Sequence, residues 1–543
     1  MKTKSLKTLI LFLFFNILNS TAQNAIIIPK PNTISFGQGT FLIDENTSIV
    51  FSESSKKNIN TLQEYFKSNF NIILKIAVKS DEKMNKIQFI SDKSISDEGY
   101  QLTISNHTIN IVASTEKGWF YGLQTLIQIC SYNAYFSKEL KTLKLKEVAI
   151  NDAPRFKWRA FMLDEARYFK GKQKVKLLLD EMSHLKMNVF HWHLTDDQGW
   201  RIEIKKYPLL TQIGSKRRSS QIGPLEWDSP IQSGEVHEGF YTQEEIKEII
   251  EYANERHITI VPEIEMPGHS SAAIASYSWL GTSKNKIEVP TKFGVGTDVY
   301  DVTDPKVYEF LTDVLEEVMA LFPSKVIHIG GDEVKYNHWK SSKSVNDYMK
   351  KNNLKTPADL QIFFTNKISK FIESKNKRMM GWSEIMGYNL HEYHNKNDTK
   401  TSQILAKESI IHFWKGDLDL AIAAASNGYE IVNSLHNFTY LDYNYKNLPL
   451  SKAYSFDPIP ENLEVKYHDK IIGLGCQMWG EWIPTNGNMH FLVFPRIAAY
   501  AEIGWTLKGH KNFNDFAINL KSFQKRWTEK RIYFAPDSIT QKK

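Results

Sequence analysis

The sequence predicts an α/β protein: a (β/α)8 TIM barrel preceded by a small α+β domain and followed by a short helical tail. Three observations predict it. After Pro154, apolar strand-like segments alternate with amphipathic helical stretches, and eight such segments can be counted, the number that closes a parallel barrel. Acids and aromatic residues recur at or just beyond the end of nearly every segment. Between Asn24 and about residue 150 the texture differs, with short alternating runs such as "KIQFIS", "YQLTIS" and "TINIVAS" before the helical stretch "KGWFYGLQTLIQIC".

Residues 1–23 read as a secretory signal: Lys2, Lys4 and Lys7, then the apolar run Leu9 to Leu18, then "STAQ". That run is short of the roughly 20 residues that span a bilayer. An exported chain, periplasmic or extracellular, is therefore expected, with no membrane contact once the signal is cleaved. The small domain is placed at 24–150, the barrel at 151–506 and the helical tail at 507–543.

The eight barrel segments are "WRAFMLD", "MNVFHWHL", "ITIVPEIEM", "VIHIGG", "RMMGWSE", "IIHFWKG", "YEIVNS" and "IIGLGCQMWGE". The helices between them carry one apolar face each, as at Val175, Leu178, Met182 and Leu185, at Ile246, Ile249, Ile250 and Ala253, and at Val307, Phe310, Val314 and Val318. Their starts are marked too. Thr242 with Glu245 has capping-box spacing, and Asp304 and Thr356 each precede a proline suited to a first turn.

Composition narrows the function. Net charge is +7, of which the signal lysines supply three, leaving about +4 on a surface where both signs are interspersed; nucleic acid is not an expected partner. Two cysteines, Cys130 and Cys476, give no disulfide framework. Aromatic content is 13%, including 13 Trp, enough to form flat walls for a ligand as well as core.

Because barrel chemistry gathers at the C-terminal ends of strands, those ends nominate the site. They offer Asp164 and Glu165, Asp196 and Asp197, Glu263, Glu265 and His269, Asp332 and Glu333, Trp382 and Glu384, Trp414 and Asp417, Tyr440 and Asp442, and Trp479 and Glu481. No glycine-rich phosphate loop appears among them. Carboxylates that accept from hydroxyls, with rings to cover C–H faces, suit a neutral carbohydrate and its hydrolysis. Glycosidases commonly hold two carboxyls about 5 to 9 Å apart across the bond, whereas Asp332 and Glu333 are sequence neighbours whose side chains diverge on a strand. One of them can still donate the proton. His191 and His193, two apart on one strand face and close to Asp196, leave a metal-dependent barrel hydrolase as an alternative. A non-catalytic sugar-binding barrel is the third class.

"PRFKWRAFMLDEAR", "FHWHLTDDQGWRIEI", "PEIEMPGH", "HIGGDE", "YLDY" and "QMWGEW", in that order, resemble glycoside hydrolase family 20, the β-N-acetylhexosaminidases, and "IIPKPN" with "GWFYGLQTL" resembles the domain that precedes the barrel. The resemblance implies a retaining, substrate-assisted hydrolysis of terminal β-linked N-acetylhexosamine, without cofactor or metal, in which the sugar's 2-acetamido oxygen attacks its own anomeric carbon. It implies Glu333 as general acid and Asp332 and Tyr440 as holders of the acetamido group, with Asp332 charged while Glu333 keeps its proton. His269 and Asp196 would relay to the acid. Arg159, Asp442 and Glu481 would bind ring hydroxyls, and Trp382, Trp414 and Trp479 would wall the sugar. Ala160 and Glu265 stand where the family commonly has glycine and aspartate.

Overall fold

The computed structural model describes residues 26–50, 56–77, 84–134, 141–223, 227–388 and 390–540, so the expected signal at 1–23 lies outside the described residues. Eight parallel strands close into a barrel in chain order: Trp158–Asp164, Val189–His193, Thr259–Glu263, Val326–His328, Arg378–Trp382, Ile410–Phe413, Glu430–Asn433 and Ile471–Met478, the last pairing with the first. Each falls inside its predicted segment.

Strand side chains alternate in direction, so every second residue enters the barrel and the interior is layered. The lowest layer is apolar: Ala160, Val189, Val261, Val326, Met380, Ile410 and Val432 form one buried cluster. Two residues further along the strands the interior turns polar, with His191, Glu263, His328 and His412 all buried. A further step of two reaches the mouth. The period-two spacing thus converts a sequence pattern into depth.

The expected helical faces pack as predicted. Val307, Phe310, Val314 and Val318 are all buried in helix Pro305–Leu321, as are Val175, Leu178 and Met182 in helix Lys172–His184. Ile250 is only half-buried. Thr242 and Glu245 form both hydrogen bonds of the capping box, and Asp304 and Thr356 each accept a backbone N–H at the start of a proline-led helix.

The preceding domain is a seven-stranded mixed sheet, in which Thr33–Ile43, Leu143–Asp152, Tyr100–Ile104 and Thr108–Ala113 are antiparallel neighbours and the remaining strands are parallel. Helix Glu116–Ala134 packs on it. The buried carboxylate of Asp152 fastens this domain to the barrel, accepting from Trp505 Nε1 at 2.9 Å, from Tyr100 Oη at 2.7 Å and from Lys186 Nζ at 3.3 Å. The C-terminal helix Phe513–Glu529 lies against the barrel, where Glu181 receives Arg526 at 2.9 Å and the Trp527 indole at 3.0 Å. Cys130 and Cys476 are free and buried. Among the described residues no helix is long and apolar enough to cross a membrane.

One expected site residue belongs to this framework instead. Arg159 is the second residue of the first barrel strand, at the N-terminal end, opposite the mouth. Its buried guanidinium pairs with Glu98 of the preceding domain at 3.0 and 3.1 Å, donates to the carbonyls of Lys186 and Phe156, and lies over the Trp505 ring. The expectation that it binds a sugar is corrected: Arg159 bolts two domains together.

Candidate active site

A cavity of about 630 Å3 opens at the C-terminal ends of the strands, lined among others by Arg167, Asp196, His269, Asp332, Glu333, Trp414, Tyr440, Asp442, Trp479 and Glu481. A larger one, about 770 Å3, lies among Tyr65, His184, Arg526 and other residues of the preceding domain, a barrel helix and the C-terminal helix, and touches no strand end. Of these two, the mouth cavity gathers carboxyls and rings from separate strand ends, so it is the candidate site.

The fourth strand delivers the central pair. Beyond His328 the chain leaves the strand through Gly330 and Gly331 at φ of 65° and 90°, and Glu333 itself sits at φ 50°. A Cβ on Gly330 would fall 1.7 Å from the Glu265 carboxylate, and one on Gly331 would meet Ile385 at 2.6 Å. The double glycine is required twice over, by the left-handed backbone and by the crowding beneath it. Glu333 tolerates the same region without that freedom, a strained conformation of the kind functional sites hold in place. Asp332 is buried, whereas the Glu333 side chain keeps 24% exposure.

His269 stands between the two acids, its Nε2 3.6 Å from Asp332 Oδ2 and 3.7 Å from Glu333 Oε2. Behind it, Nδ1 lies 3.1 Å from Asp196 Oδ1 and 3.4 Å from Asp197 Oδ2. Burial disfavours an imidazolium, but Asp196 and Asp332 outweigh it and hold the His269 pKa well above its usual value. On its other side Glu333 has His391 Nδ1 at 3.5 Å.

The two acids are pushed apart, in the sense opposite to the one expected. Burial, reinforced by Glu384, Glu333 and Glu263, raises Asp332 well above the carboxylate range despite His269. Burial would raise Glu333 as well, but His269, then His391 and Lys415, bring it below its usual value. Depth is the physical reason: Asp332 sits among other acids, while Glu333 lies by His269 and His391 and within reach of the Lys415 charge.

The rings form a wall. Trp382, Tyr440, Trp479 and Met162 cluster, with Trp414 packed against them and stacked on Tyr440 at 5.9 Å and 8°. Their polar ends are tied down: the Trp382 indole donates to Glu263 Oε1 at 2.8 Å and the Trp414 indole to Glu384 Oε2 at 2.9 Å. Trp382 is 1% exposed and supports the wall from beneath rather than lining the cavity.

At the opposite end Arg167 occupies the place expected of Arg159. It follows the first strand, pairs with Asp164 at 3.1 Å and Asp196 at 2.8 Å, approaches Glu481 at 3.7 Å and lies under Trp479 at 5.3 Å. Asp442 is beside it in the cavity, pushed up to about 8 by burial and then by the Glu481 charge. Arg167 was legible: "LDEAR" puts it three residues past Asp164 at a strand's C-terminal end, where the barrel rule places chemistry. A search for acids and aromatics passes over it.

His191 and His193 do share one face, and both meet Glu263, at 2.8 and 2.6 Å. His193 is hydrogen-bonded through its second nitrogen to Asp196 at 2.9 Å, so its two nitrogens are held by carboxylates. His328 is buried in the same network. The strand-two histidines thus serve as a polar layer that orients Asp196 and Glu263.

Acids that outnumber cations, set against stacked rings at the mouth of a parallel barrel, suit a polyhydroxylated ring and proton transfer at its glycosidic oxygen, the arrangement of the glycoside hydrolase class. Comparison with known proteins makes this specific. The model of glycosyl hydrolase family 20, catalytic domain, matches residues 156–508, and that of domain 2 of the same family matches 24–153. A β-hexosaminidase of Porphyromonas gingivalis is 33% identical over 510 residues, covering 91% of this chain and 62% of the relative. One of Vibrio furnissii is 33% identical, covering 90% and 77%. The crystal structure of a GH20 exo β-N-acetylglucosaminidase from Vibrio harveyi superposes with a TM-score of 0.80 at 30% identity, covering 94% of this chain and 78% of that one. The chain belongs to glycosyl hydrolase family 20.

Proposed function

We propose that this chain is an exported, exo-acting β-N-acetylhexosaminidase that removes terminal β-linked N-acetylglucosamine or N-acetylgalactosamine from the non-reducing ends of glycans or chito-oligosaccharides. The observation that carries it is the bridging of Asp332 and Glu333 by one histidine, in a cavity shared with Tyr440. It is supported by the β-hexosaminidase relatives and by the exo β-N-acetylglucosaminidase structure with N-acetylglucosamine bound.

Asp332 and Glu333, on adjacent residues, do not face each other across a bond, and the resemblance to family 20 implies that the nucleophile comes from the substrate. As Glu333 gives its proton to the glycosidic oxygen, the C–O bond to the leaving group breaks and the 2-acetamido oxygen bonds to the anomeric carbon. The product is an oxazolinium ion whose charge is shared with the amide nitrogen. Asp332 accepts from that N–H and stabilises the charge, while Tyr440 donates to the acetamido oxygen. The Glu333 carboxylate then takes a proton from water, which attacks the same carbon, reopens the ring and returns retained product. Holding the internal nucleophile in its attacking pose is worth up to about 7 to 11 kcal/mol.

This sequence needs the proton on Glu333 and the charge on Asp332, against the direction in which the ligand-free surroundings shift the two groups. An amide N–H donated to Asp332 favours its ionised form, and a sugar covering Glu333 favours the neutral acid, so binding itself drives the exchange, with His269 between the two. Arg167, Asp442 and Glu481 hold the distal hydroxyls and end the pocket, which is what restricts action to a terminal sugar. Digestion of a chitotetraose labelled at its reducing end checks this: the account expects monomer and labelled trimer first, and early labelled dimer would contradict exo-action.

A further inference from the structure

We infer that His391 is a second positioning residue for the general acid: held by Glu384, it steadies the Glu333 carboxylate as that group gives up its proton, and so favours proton transfer to poor leaving groups. The inference rests on the hexosaminidase reading, in which Glu333 is the acid, and adds a residue to its support.

Each oxygen of the Glu333 carboxyl faces its own histidine. On the inner side His269 Nε2 lies 3.7 Å from Oε2, and on the outer side His391 Nδ1 lies 3.5 Å from Oε1. Each ring is backed by a carboxylate: Asp196 Oδ1 stands 3.1 Å from Nδ1 of His269, and Glu384 Oε1 stands 2.8 Å from Nε2 of His391. His391 is buried and does not line the cavity, so it acts through Glu333 rather than on the sugar. With Glu384 at one nitrogen, a protonated imidazole has its second N–H left for Glu333. Contacts of this length commonly tighten only as charge develops at the reacting atoms. Lys415 Nζ, 3.4 Å from Nδ1, adds a second positive charge at the same corner.

His391 follows the fifth strand, beyond the short helical turn Ser383–Met386, and its segment is stapled to the residues that come after the acid. Tyr393 stacks on His391 at 4.9 Å and 11°, with Lys335 Nζ over the Tyr393 ring at 3.3 Å. His394 stacks on Tyr336 at 4.4 Å and 30°. These contacts fix the separation between the histidine and the carboxyl it serves. Glu384 ties the same ring to the sugar wall, since its second oxygen accepts the Trp414 indole at 2.9 Å and Trp414 stacks on Tyr440. Burial raises Glu333, but His269 first, then His391 and Lys415, bring it below its usual value. The other titratable neighbours are Asp332, Lys335 and Tyr393 about Glu333, and Tyr393 and His394 about His391.

The test compares kcat/KM for N,N'-diacetylchitobiose and for dinitrophenyl β-N-acetylglucosaminide across pH in the wild type, His391→Phe and His391→Asn. His391→Phe keeps a ring beside Tyr393 but no nitrogen. It lowers the disaccharide value about tenfold, part of what a positioned acid supplies, and changes the dinitrophenyl value less than about threefold, because that leaving group departs unprotonated. Without the neighbouring positive charge Glu333 holds its proton to higher pH, so the alkaline limb of the disaccharide profile moves upward. His391→Asn, whose amide N–H falls near the place of Nδ1, recovers part of the disaccharide rate. Equal losses on both substrates with an unmoved alkaline limb in either variant, or a disaccharide value that His391→Phe leaves within about twofold, overturn the role of His391 alone. A wild type that cleaves neither substrate overturns the hexosaminidase reading and this role with it.

Discussion

Glu333→Gln lowers kcat on a natural disaccharide by about 10^2- to 10^4-fold and leaves KM close to its original value, the loss expected when a positioned general acid is removed. The substitution keeps the shape of the side chain, and the glycine pair that sets the backbone before it is untouched, so the cavity survives. What is lost is the proton. A natural sugar leaves poorly as an alkoxide, whereas a dinitrophenolate leaves readily unprotonated, so the same variant retains much more of its first step on a dinitrophenyl substrate. Steady-state kinetics on both substrates check this. Wild-type turnover of the disaccharide would take the acid role away from Glu333.

Asp332→Asn costs less but acts on two observables. An amide in place of the carboxylate cannot stabilise the charge that develops on the oxazolinium nitrogen, and removing one such preorganised electrostatic group costs about 10^2- to 10^3-fold in kcat. Stability moves the other way. An unfolded aspartate ionises near 3.9, while burial holds the native Asp332 well above that, so across the interval the unfolded state binds fewer protons and stability falls as pH rises. Asparagine removes this term. Melting temperatures of the two proteins should therefore agree near pH 4 and diverge upward in favour of Asp332→Asn toward neutral pH. A variant less stable than wild type at pH 7 would mean that Asp332 is already charged in the free protein.

Much of the molecule could be read from its residues because the relevant signals are local. Alternate apolar positions gave the strands and, through the closed barrel, the depth of each side chain; the caps at Thr242, Asp304 and Thr356 gave helix starts with their hydrogen bonds. Strand ends gave Asp332, Glu333, Trp414, Asp442, Trp479 and Glu481, all of which meet at one cavity. Arg159 was misplaced for a reason that the same rule exposes: it lies at the wrong end of its strand, and an arginine three residues beyond the right end does line the pocket.

The opposite shifts of the two acids were not legible, since they depend on His391 and Lys415 reaching Glu333 from other loops, and on Glu263 and Glu384 crowding Asp332. Nor was the edge-to-face meeting of Trp227 and Trp482 in the lining of the cavity. Residues 255 positions apart in the chain meet there, and nothing in either local sequence marks the encounter.

The role of the sugar's own carbonyl is tested most directly by a substrate series in which the acetyl group carries zero, one, two and three fluorines, at a constant leaving group. Each fluorine withdraws electron density from the carbonyl oxygen while hardly changing its size. If that oxygen attacks the anomeric carbon, kcat/KM falls steeply and monotonically along the series. A flat profile would mean that the nucleophile belongs to the protein or to water, and would contradict the account.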